Sequence, residues 1–225
     1  MRGVFVTGTD TGVGKTVLSA CLLAAMRAGG EPVRAYKPVV TGLDETVPGE
    51  WPPDHELLGL AAGVAPEEVS PLRFGPAVSP HLAAELAGVK IDPAELVGAA
   101  RVRGEGGTLV VEGVGGLLVP LSEDYTVLDF AAALGLPMVI AARPGLGTIN
   151  HTLLTLRAAR ERGLDVRAVV LTPWVDPGTE MERSNRATID RLGGIDTEIL
   201  VRLPSPDQQY LERAGRTLPW RRWLR

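Results

Sequence analysis

Short apolar runs alternate with longer amphipathic stretches along most of the chain. Apolar runs of about five residues that are bounded by turn residues predict strands, and apolar positions spaced three and four apart predict helices. Strands are predicted at 3–7, 33–37, 108–112, 137–142, 167–171 and 198–203. Helices are predicted at 16–28, 54–62, 80–87, 93–103, 126–134, 148–162, 180–192 and 208–214. The proline- and glycine-rich stretch 41–53 is predicted to be a loop.

The alternation of strands and helices predicts the fold class. The strands are apolar on both faces, as in parallel sheets that are covered on both sides. We therefore expect a three-layer α/β fold, a mostly parallel sheet with helices on both faces. Neither an internal repeat nor a linker divides the chain, so one domain is predicted over residues 1–225. Ligands in such folds bind at the carboxyl ends of the strands.

Composition narrows the class of protein. The 225 residues are 45% hydrophobic with a net charge of −4, which excludes disorder as the main state and argues against a nucleic-acid partner. The one cysteine, Cys21, excludes an intrachain disulfide and a cysteine zinc site. No apolar stretch reaches the ~20 residues of a membrane span. We expect a cytoplasmic protein. The arginine-rich end, Arg213–Arg225, indicates a solvated terminal helix or, alternatively, a partner-binding tail.

Lysine is rare in this chain. Of 23 lysines and arginines, only Lys15, Lys37 and Lys90 are lysines. A lysine kept in an arginine-rich background points to a need for its compact ammonium charge.

The first predicted strand ends in a phosphate-binding type of loop, G-T-D-T-G-V-G-K-T at 8–16. Backbone N–H groups and the following helix N-terminus attract phosphate oxygens. Lys15 can reach the β- and γ-phosphates, and the Thr16 hydroxyl can bind Mg²⁺. Five residues, not four, separate Gly8 from Gly14, so the loop is a longer variant. The alternative is a plain glycine turn.

The second predicted strand ends in Y-K-P-V-V-T-G at 36–42. Lys37 could stabilise negative charge on a transferred phosphoryl group. Thr41, together with Thr11 of the glycine loop, could bind a small anionic group. The alternative is an ordinary surface lysine before a turn.

The predicted strand at 108–112 ends in an acidic residue. Glu112 ends an apolar run before G-V-G-G, which resembles a Walker B element and would complete a Mg²⁺ site. The alternative is a capping glutamate. Asp54 is a second candidate ligand, and it is also a candidate N-cap of the helix at 54–62.

A glycine turn follows the strand at 137–142, in G-L-G-T-I-N-H at 145–151. The helix N-terminus there can hold a carboxylate, and the alternative is simple capping by Thr148 or Asn150. His55, His81 and His151 lack metal-ligand spacing, so we interpret them as structural.

Together these segments resemble the dethiobiotin synthetase family, a P-loop NTPase-like family, over residues 3–206. V-E-G-V-G-G-L-L-V-P at 111–120 and S-P-H at 79–81 add to the similarity. The resemblance implies that 7,8-diaminononanoate is carboxylated by CO₂ and that the carbamate attacks the γ-phosphate of ATP. The second amine then closes the cyclic urea and expels phosphate.

The resemblance also implies roles for particular residues. It places the catalytic groups at Lys15, Lys37 and Thr11, and the Mg²⁺ ligands at Thr16, Asp54 and Glu112. It places the nucleotide-binding residues at Gly12, Val13, Gly14, Lys15, Thr16, Val17, Asp54, Glu112, Gly113, Val114 and Gly115. Substrate would bind to Thr11, Lys37 and Thr41, and its carboxylate to Gly147, Thr148 and Asn150 across a homodimer interface.

One segment departs from the family. Many members have an Asn-Asp pair that reads adenine, where this chain has L-T-P-W-V-D at 171–176. Thr172 and Pro173, with Pro204, Ser205 and Pro206, could still frame a base. ATP is the expected nucleotide, and another nucleoside triphosphate such as CTP remains an alternative.

Two other classes share the loop. Amidotransferase-type synthetases of cobalamin synthesis carry a glutaminase domain with a nucleophilic cysteine, for which this chain is too short. Partitioning ATPases carry an extra lysine early in the phosphate loop, where this chain has Asp10.

Overall fold

The computed structural model describes residues 1–45 and 51–224, so parts of the predicted loop 41–53 and of the arginine-rich end lie outside the described residues. The strands are β1 (Arg2–Gly8), β2 (Val33–Tyr36), β3 (Val39–Val40), β4 (Leu72–Arg73), β5 (Thr108–Gly116), β6 (Pro120–Ser122), β7 (Tyr125–Thr126), β8 (Met138–Ala142), β9 (Val166–Trp174) and β10 (Thr197–Val201).

The helices surround these strands. They are α1 (Lys15–Ala28), α2 (Asp54–Ala62), α3 (Pro66–Val69), α4 (Pro80–Leu86), α5 (Pro93–Arg103), α6 (Val127–Leu134), α7 (Thr148–Glu161), α8 (Glu180–Gly193), α9 (Gln208–Gly215) and α10 (Trp220–Trp223), with a 3₁₀ turn at Leu43–Glu45.

Six of the strands form one sheet in the order β10-β9-β8-β1-β5-β2. Every neighbouring pair in this sheet is parallel. The predicted α/β class is therefore confirmed, and each predicted strand corresponds to one strand of this sheet. Since β1 lies in the interior of the sheet beside β5 and β8, the loops that follow these three strands meet at one edge.

Alternate residues of the central strands fill two separate cores. Val4 and Val6 face the side covered by α1, α2 and α9, whereas Phe5 faces the side covered by α5, α6 and α7. Val110 and Val111 divide in the same way. This period of two on strands buried on both faces produces the three layers.

Two small sheets were not predicted. β3 pairs with β4 in parallel, and β6 pairs with β7 in a hairpin. Strands of two or three residues are too short to show a periodic pattern. The predicted ends of two central strands were also wrong, because β5 continues beyond Glu112 to Gly116 and β9 continues through Trp174.

The arginine-rich end is not simply a solvated helix, so that prediction was wrong in part. Helix α10 buries Trp220 and Trp223 in the same core as the apolar residues of α1. Arg221 and Arg222 are exposed, and the Arg221 guanidinium lies 4.1 Å from the centre of the Trp220 ring. The apolar side chains hold this segment, and the arginines keep its outer face in water.

Candidate functional site

The glycine loop between β1 and α1 forms the base of the site. Gly12 and Gly14 have φ of 67° and 92°, a left-handed conformation that side chains other than glycine rarely adopt. Helix α1 begins at Lys15, one residue before the predicted start. The Lys15 ammonium donates to the Asp10 carbonyl at 2.8 Å and so lies across the loop. Burial and the nearby Lys37 ammonium lower the pKa of Lys15 to about 8.

Four predicted site residues meet at the carboxyl ends of β2 and β5. The Lys37 ammonium lies 2.6 Å from Glu112 Oε1 and 2.7 Å from Asp54 Oδ2. The Thr16 hydroxyl oxygen lies 2.8 Å from Asp54 Oδ1 and 2.8 Å from Glu112 Oε1. We refer to Thr16, Lys37, Asp54 and Glu112 as the carboxylate cluster. It joins residues that are up to 96 positions apart in the chain.

Charge pairing outweighs burial in setting the pKa values of Lys37 and Asp54. Burial by itself lowers the pKa of Lys37, but the carboxylates of Asp54 and Glu112 outweigh it and raise that pKa well above its ordinary value. For Asp54, burial favours the neutral acid, but the Lys37 ammonium holds the pKa of the carboxyl below its usual range. Both partners therefore stay charged at neutral pH.

Asp54 does not cap helix α2. Pro53 occupies the N-cap position with no side-chain cap hydrogen bond, and Asp54 is the first helical residue. Its carboxylate accepts from Thr16 and pairs with Lys37 instead. The N-cap interpretation was wrong because the oppositely charged cluster provides stronger partners than the helix's own N–H groups.

The donor set of the cluster fits a divalent cation. Glu112 Oε2 is buried and has no hydrogen-bond partner among the described residues. The Thr16 hydroxyl has one proton and two carboxylate oxygens within reach, so it cannot satisfy both. Hard oxygen ligands of this kind suit Mg²⁺, which takes one or two carboxylates and completes its shell with phosphates and water.

A cavity of about 640 Å³ opens beside the cluster. Its lining includes the glycine loop with Thr11, and also Lys37 and Thr41. The rest of the lining comes from Ala77 to Pro80 and from Val114, Gly115 and Val119. The cavity therefore joins a phosphate-binding surface to a pocket large enough for a small organic substrate.

The segment after β8 does not reach this cavity. Gly147 has φ of 89° and precedes α7. Thr148 is buried and its hydroxyl lies 3.4 Å from that of Thr152, whereas Asn150 is exposed. Thr148 lines a separate cavity of about 110 Å³ with Asp10 and Arg143. Within one chain, these predicted carboxylate-binding residues lie apart from the carboxylate cluster.

The predicted base-framing residues also lie outside the main cavity. Thr172 is buried within β9, and its side chain packs beside Gly14, where an added Cβ would come within 2.8 Å of it. Pro173 follows it in β9. Pro204 to Pro206 follow β10, and the Ser205 hydroxyl donates to Asp207 at 2.7 Å. Two further predicted nucleotide contacts lie outside the main cavity. Gly113 is buried within β5 and packs against Phe5 and Val127, and Val13 is buried and lines the small cavity with Thr148.

Arg143 was missed by the sequence analysis. Its guanidinium donates to the Thr11 carbonyl at 3.2 Å, so it braces the outer side of the glycine loop. The signal was present in the sequence, because Arg143 directly follows β8, at the edge of the sheet where β1 ends. The sequence analysis also missed residues 77–80 as part of the cavity lining, except for Ser79 and Pro80 of the S-P-H segment.

The loop, the lysine and the carboxylates define a P-loop nucleoside-triphosphate-binding protein. Residues 2–210 match a family model described as an AAA domain. Among the described residues, no helix is long and apolar enough to cross a membrane.

Curated relatives identify the family. The chain is 48% identical to the ATP-dependent dethiobiotin synthetase BioD of Anaeromyxobacter dehalogenans strain 2CP-1 over 198 residues, 85% of this chain and 86% of the relative. It is 46% identical to the protein of that name in strain 2CP-C, over 95% of each chain. The BioD of Bacillus subtilis strain 168 is 39% identical over 87% of this chain and 84% of the relative. The chain belongs to the family of ATP-dependent dethiobiotin synthetases.

The fold is also similar to that of a solved structure. Apo McdA from Cyanthece superposes with a TM-score of 0.53 at 10% identity, over 95% of this chain and 90% of the other. At that identity the similarity concerns the fold alone.

Proposed function

We propose that this chain carries out the ligase reaction of its family with the site just described. An amine of 7,8-diaminononanoate adds to CO₂ and releases a proton to form the carbamate. A carbamate oxygen attacks the γ-phosphorus of ATP, and ADP leaves. The second amine attacks the carbonyl carbon of the mixed anhydride, so that phosphate leaves, a proton is lost and the cyclic urea closes.

The observation that carries the proposal is the position of Lys37. It lines the same cavity as the glycine loop, Thr41 and Ser79. The reaction develops negative charge on oxygens shared by carbamate and γ-phosphate. Fixed ammonium groups from Lys15 and Lys37 would stabilise that charge. Thr11 and Thr41 would hold the carbamate or the diamine.

Neither proton transfer by a histidine nor attack by a cysteine is required. The substrate provides its own nucleophiles, so positioning and charge neutralisation account for the catalysis. Cys21 is buried in the core away from the cavity, and burial raises the pKa of its thiol to about 12. This arrangement is consistent with a ligase and gives no support to a glutaminase-linked synthetase.

Thr16, Asp54 and Glu112 would hold Mg²⁺. The ion would supply charge neutralisation on the β- and γ-phosphates. The backbone from Gly12 to Val17 would bind the phosphates, beside Val114 and Gly115 of the cavity lining. Gly113, which is enclosed within β5, would support them from behind.

Substrate carboxylate binding would need a second copy of the chain. Gly147, Thr148 and Asn150 are proposed to hold that carboxylate across a homodimer interface, which fits their distance from the carboxylate cluster. Three exposed leucines, Leu118, Leu146 and Leu154, lie beside this segment. We refer to them as the leucine patch.

We propose that the site selects only weakly among the bases of nucleoside triphosphates. ATP is the expected nucleotide, and Thr172, Pro173 and Pro204 to Pro206 would frame the base without an Asn-Asp pair. CTP would then serve as a second substrate. Steady-state KM values for ATP and CTP test this, and a strong preference for ATP would contradict it.

The reaction is tested by incubating the protein with Mg²⁺-ATP, bicarbonate and 7,8-diaminononanoate and following phosphate and the cyclic urea by mass. We expect turnover that depends on the diamine and that falls at least ~100-fold in Lys37→Ala, since one fixed charge at the transferring group is lost. Lys90→Ala is the matched control, because Lys90 is exposed. Phosphate release that ignores the diamine would favour a switch ATPase over the ligase.

A further inference from the structure

The carboxylate cluster already contains a cation, the ammonium group of Lys37. Lys37 donates to Glu112 at 2.6 Å, and its ammonium is 2.7 Å from Asp54. The side chains of Lys37 and Glu112 are only 4% and 1% exposed, so this pairing is shielded from water. An ammonium ion thus lies between the same two carboxylates that are proposed to bind Mg²⁺.

One ammonium and one divalent cation compete at this position. Lys37 contacts Glu112 Oε1 and Asp54 Oδ2, so a cation on the remaining oxygens of these two carboxylates would lie close to the ammonium and be repelled by it. Removing the ammonium without replacement would leave the buried Glu112 carboxylate unpaired beside the 43% exposed side chain of Asp54, which is also costly. The cluster therefore needs one cation or the other at all times.

The Lys37 ammonium needs an anionic partner wherever it goes. Its side chain also lines the main cavity, next to the glycine loop and Thr41. The oxygens of a γ-phosphate or a carbamate bound there would provide such a partner in place of Asp54 and Glu112. Arrival of the metal–nucleotide pair is the event that supplies a replacement cation and a new partner together.

We propose that Lys37 is an internal counter-ion that excludes free divalent cations from the nucleotide-free protein. Its transfer from Asp54 and Glu112 to the substrate anions is coupled to binding of the metal–nucleotide pair. The same ammonium thus blocks premature metal binding and later stabilises the reacting oxygens. This inference rests on the proposed assignment of Asp54 and Glu112 as metal ligands.

The first experiment measures Mn²⁺ binding to the nucleotide-free protein by electron paramagnetic resonance of free Mn²⁺. Wild type is expected to bind Mn²⁺ weakly, and Lys37→Met at least about tenfold more tightly, because the competing charge is gone. Lys15→Met is the comparison variant, since its ammonium donates to the Asp10 carbonyl and acts on Asp54 and Glu112 only through charge, without a hydrogen bond to either, so a smaller gain is expected. Equal affinities in wild type and Lys37→Met overturn the proposal, as does an equal gain in Lys15→Met.

Thermal unfolding gives a second readout that requires no turnover. The Tm of Lys37→Met is expected to fall below that of wild type in a chelator and to recover on adding millimolar Mg²⁺. The Tm of wild type is expected to stay constant on the same addition. A wild-type Tm that rises with Mg²⁺ alone contradicts the exclusion.

A third measurement uses wild type and so does not depend on a variant that folds. The chain has three lysines, so ¹⁵N-lysine labelling gives a spectrum with few side-chain signals. The Lys37 ammonium signal is expected to stay in place with Mg²⁺ alone. It should shift when Mg²⁺ and the β,γ-methylene analogue of ATP are added with the diamine and bicarbonate. A shift with Mg²⁺ alone, or none with the full set, overturns the proposal.

These results separate the inference from the proposed function. A wild-type enzyme that forms the cyclic urea, combined with unchanged Mn²⁺ affinity in Lys37→Met, keeps the ligase and overturns the counter-ion. A protein that forms no cyclic urea but gains Mn²⁺ affinity in Lys37→Met keeps the counter-ion and overturns the ligase.

Discussion

At the scale of single residues, Lys15 and Lys37 differ in what surrounds them more than in how deeply they lie. Both lysines are buried and line the cavity beside the glycine loop. Lys15 has a backbone carbonyl as its partner, and its pKa is lowered, whereas Lys37 has two carboxylates and its pKa is raised. Sequence alone could single out both lysines by their rarity, but only the fold shows which one pairs with acids.

Cys21 provides a prediction about pH. Burial raises the pKa of its thiol to about 12 in the folded protein, against ~8.5 in an unfolded chain. A raised folded-state pKa of an acid stabilises the fold below the unfolded value, and that contribution is lost as pH rises from about 8.5 toward 12. At pH 10 the loss amounts to roughly 2 kcal/mol.

We therefore expect Cys21→Ala to be less stable than wild type at pH 7, with the difference shrinking by roughly 2 kcal/mol at pH 10. Urea unfolding at the two pH values measures it. Met26→Leu is the control, because Met26 is a buried residue of the same helix that does not titrate. If Cys21→Ala and wild type differ by the same free energy of unfolding at both pH values, the pKa of the Cys21 thiol is not raised in the folded protein.

At the scale of elements, helix α9 packs against α1 so closely that one position admits only glycine. A Cβ at Gly215 would collide with the Cys21 carbonyl of α1 and would lie 2.8 Å from the Ala25 Cβ. Gly215→Ala is expected to lower the free energy of unfolding by about 1–3 kcal/mol, through overpacking. Chemical denaturation measures the change.

Gly98 of α5 is the matched control for this substitution. It is also within a helix, but an added Cβ would meet nothing within 4 Å among the described residues. Gly98→Ala is expected to raise stability by about 0.4–1 kcal/mol, since alanine has the higher helix propensity. A loss of stability in both variants would show that packing of α9 on α1 is not the cause.

The elements that the sequence predicts well are those with a long enough pattern. The six strands of the main sheet appear as apolar runs bounded by turn residues, and the helices between them show a period of 3.6 over enough residues to be recognised. Helix α3, the 3₁₀ turn and the β3-β4 and β6-β7 pairs are too short for that. Their positions depend on contacts with distant segments, such as the pairing of Val39 with Leu72.

At the scale of the whole molecule, the site was predictable because parallel strands end at one edge. Lys37 follows β2 and the glycine loop follows β1, whereas Glu112 lies within β5 opposite Val6 of β1, and these three strands are neighbours in the sheet. Strand ends alone could not predict which partners are made. The Lys37 salt bridges, the orphaned Glu112 oxygen and the Arg143 brace depend on side-chain reach in three dimensions.

The leucine patch provides a prediction about assembly. Leu146, Leu118 and Leu154 are 93%, 68% and 56% exposed. Leu118 and Leu154 line one cavity of about 480 Å³, and Leu146 lines the neighbouring small cavity, which shares Asp10 and His151 with it. Exposed leucines grouped around neighbouring cavities in this way are typical of an interface between subunits.

We therefore expect wild type to be a dimer by light scattering and the double variant Leu118→Glu, Leu154→Glu to be a monomer, because buried unpaired carboxylates oppose association. If the partner provides the carboxylate site, the monomer should lose diamine affinity by at least about tenfold, the equivalent of one lost charged hydrogen bond. Its affinity for a non-hydrolysable ATP analogue should stay unchanged, since the glycine loop belongs to one chain.

Leu60→Glu is the control for charge and lost apolar area. Leu60 is 49% exposed on α2, which covers the opposite face of the sheet. That variant is expected to stay dimeric and to bind the diamine normally. A double variant that remains a dimer would place the interface elsewhere. A monomer that still binds the diamine as wild type does would mean that one chain completes its own site, and the segment from Gly147 to Asn150 would then have to serve another purpose than holding the substrate carboxylate.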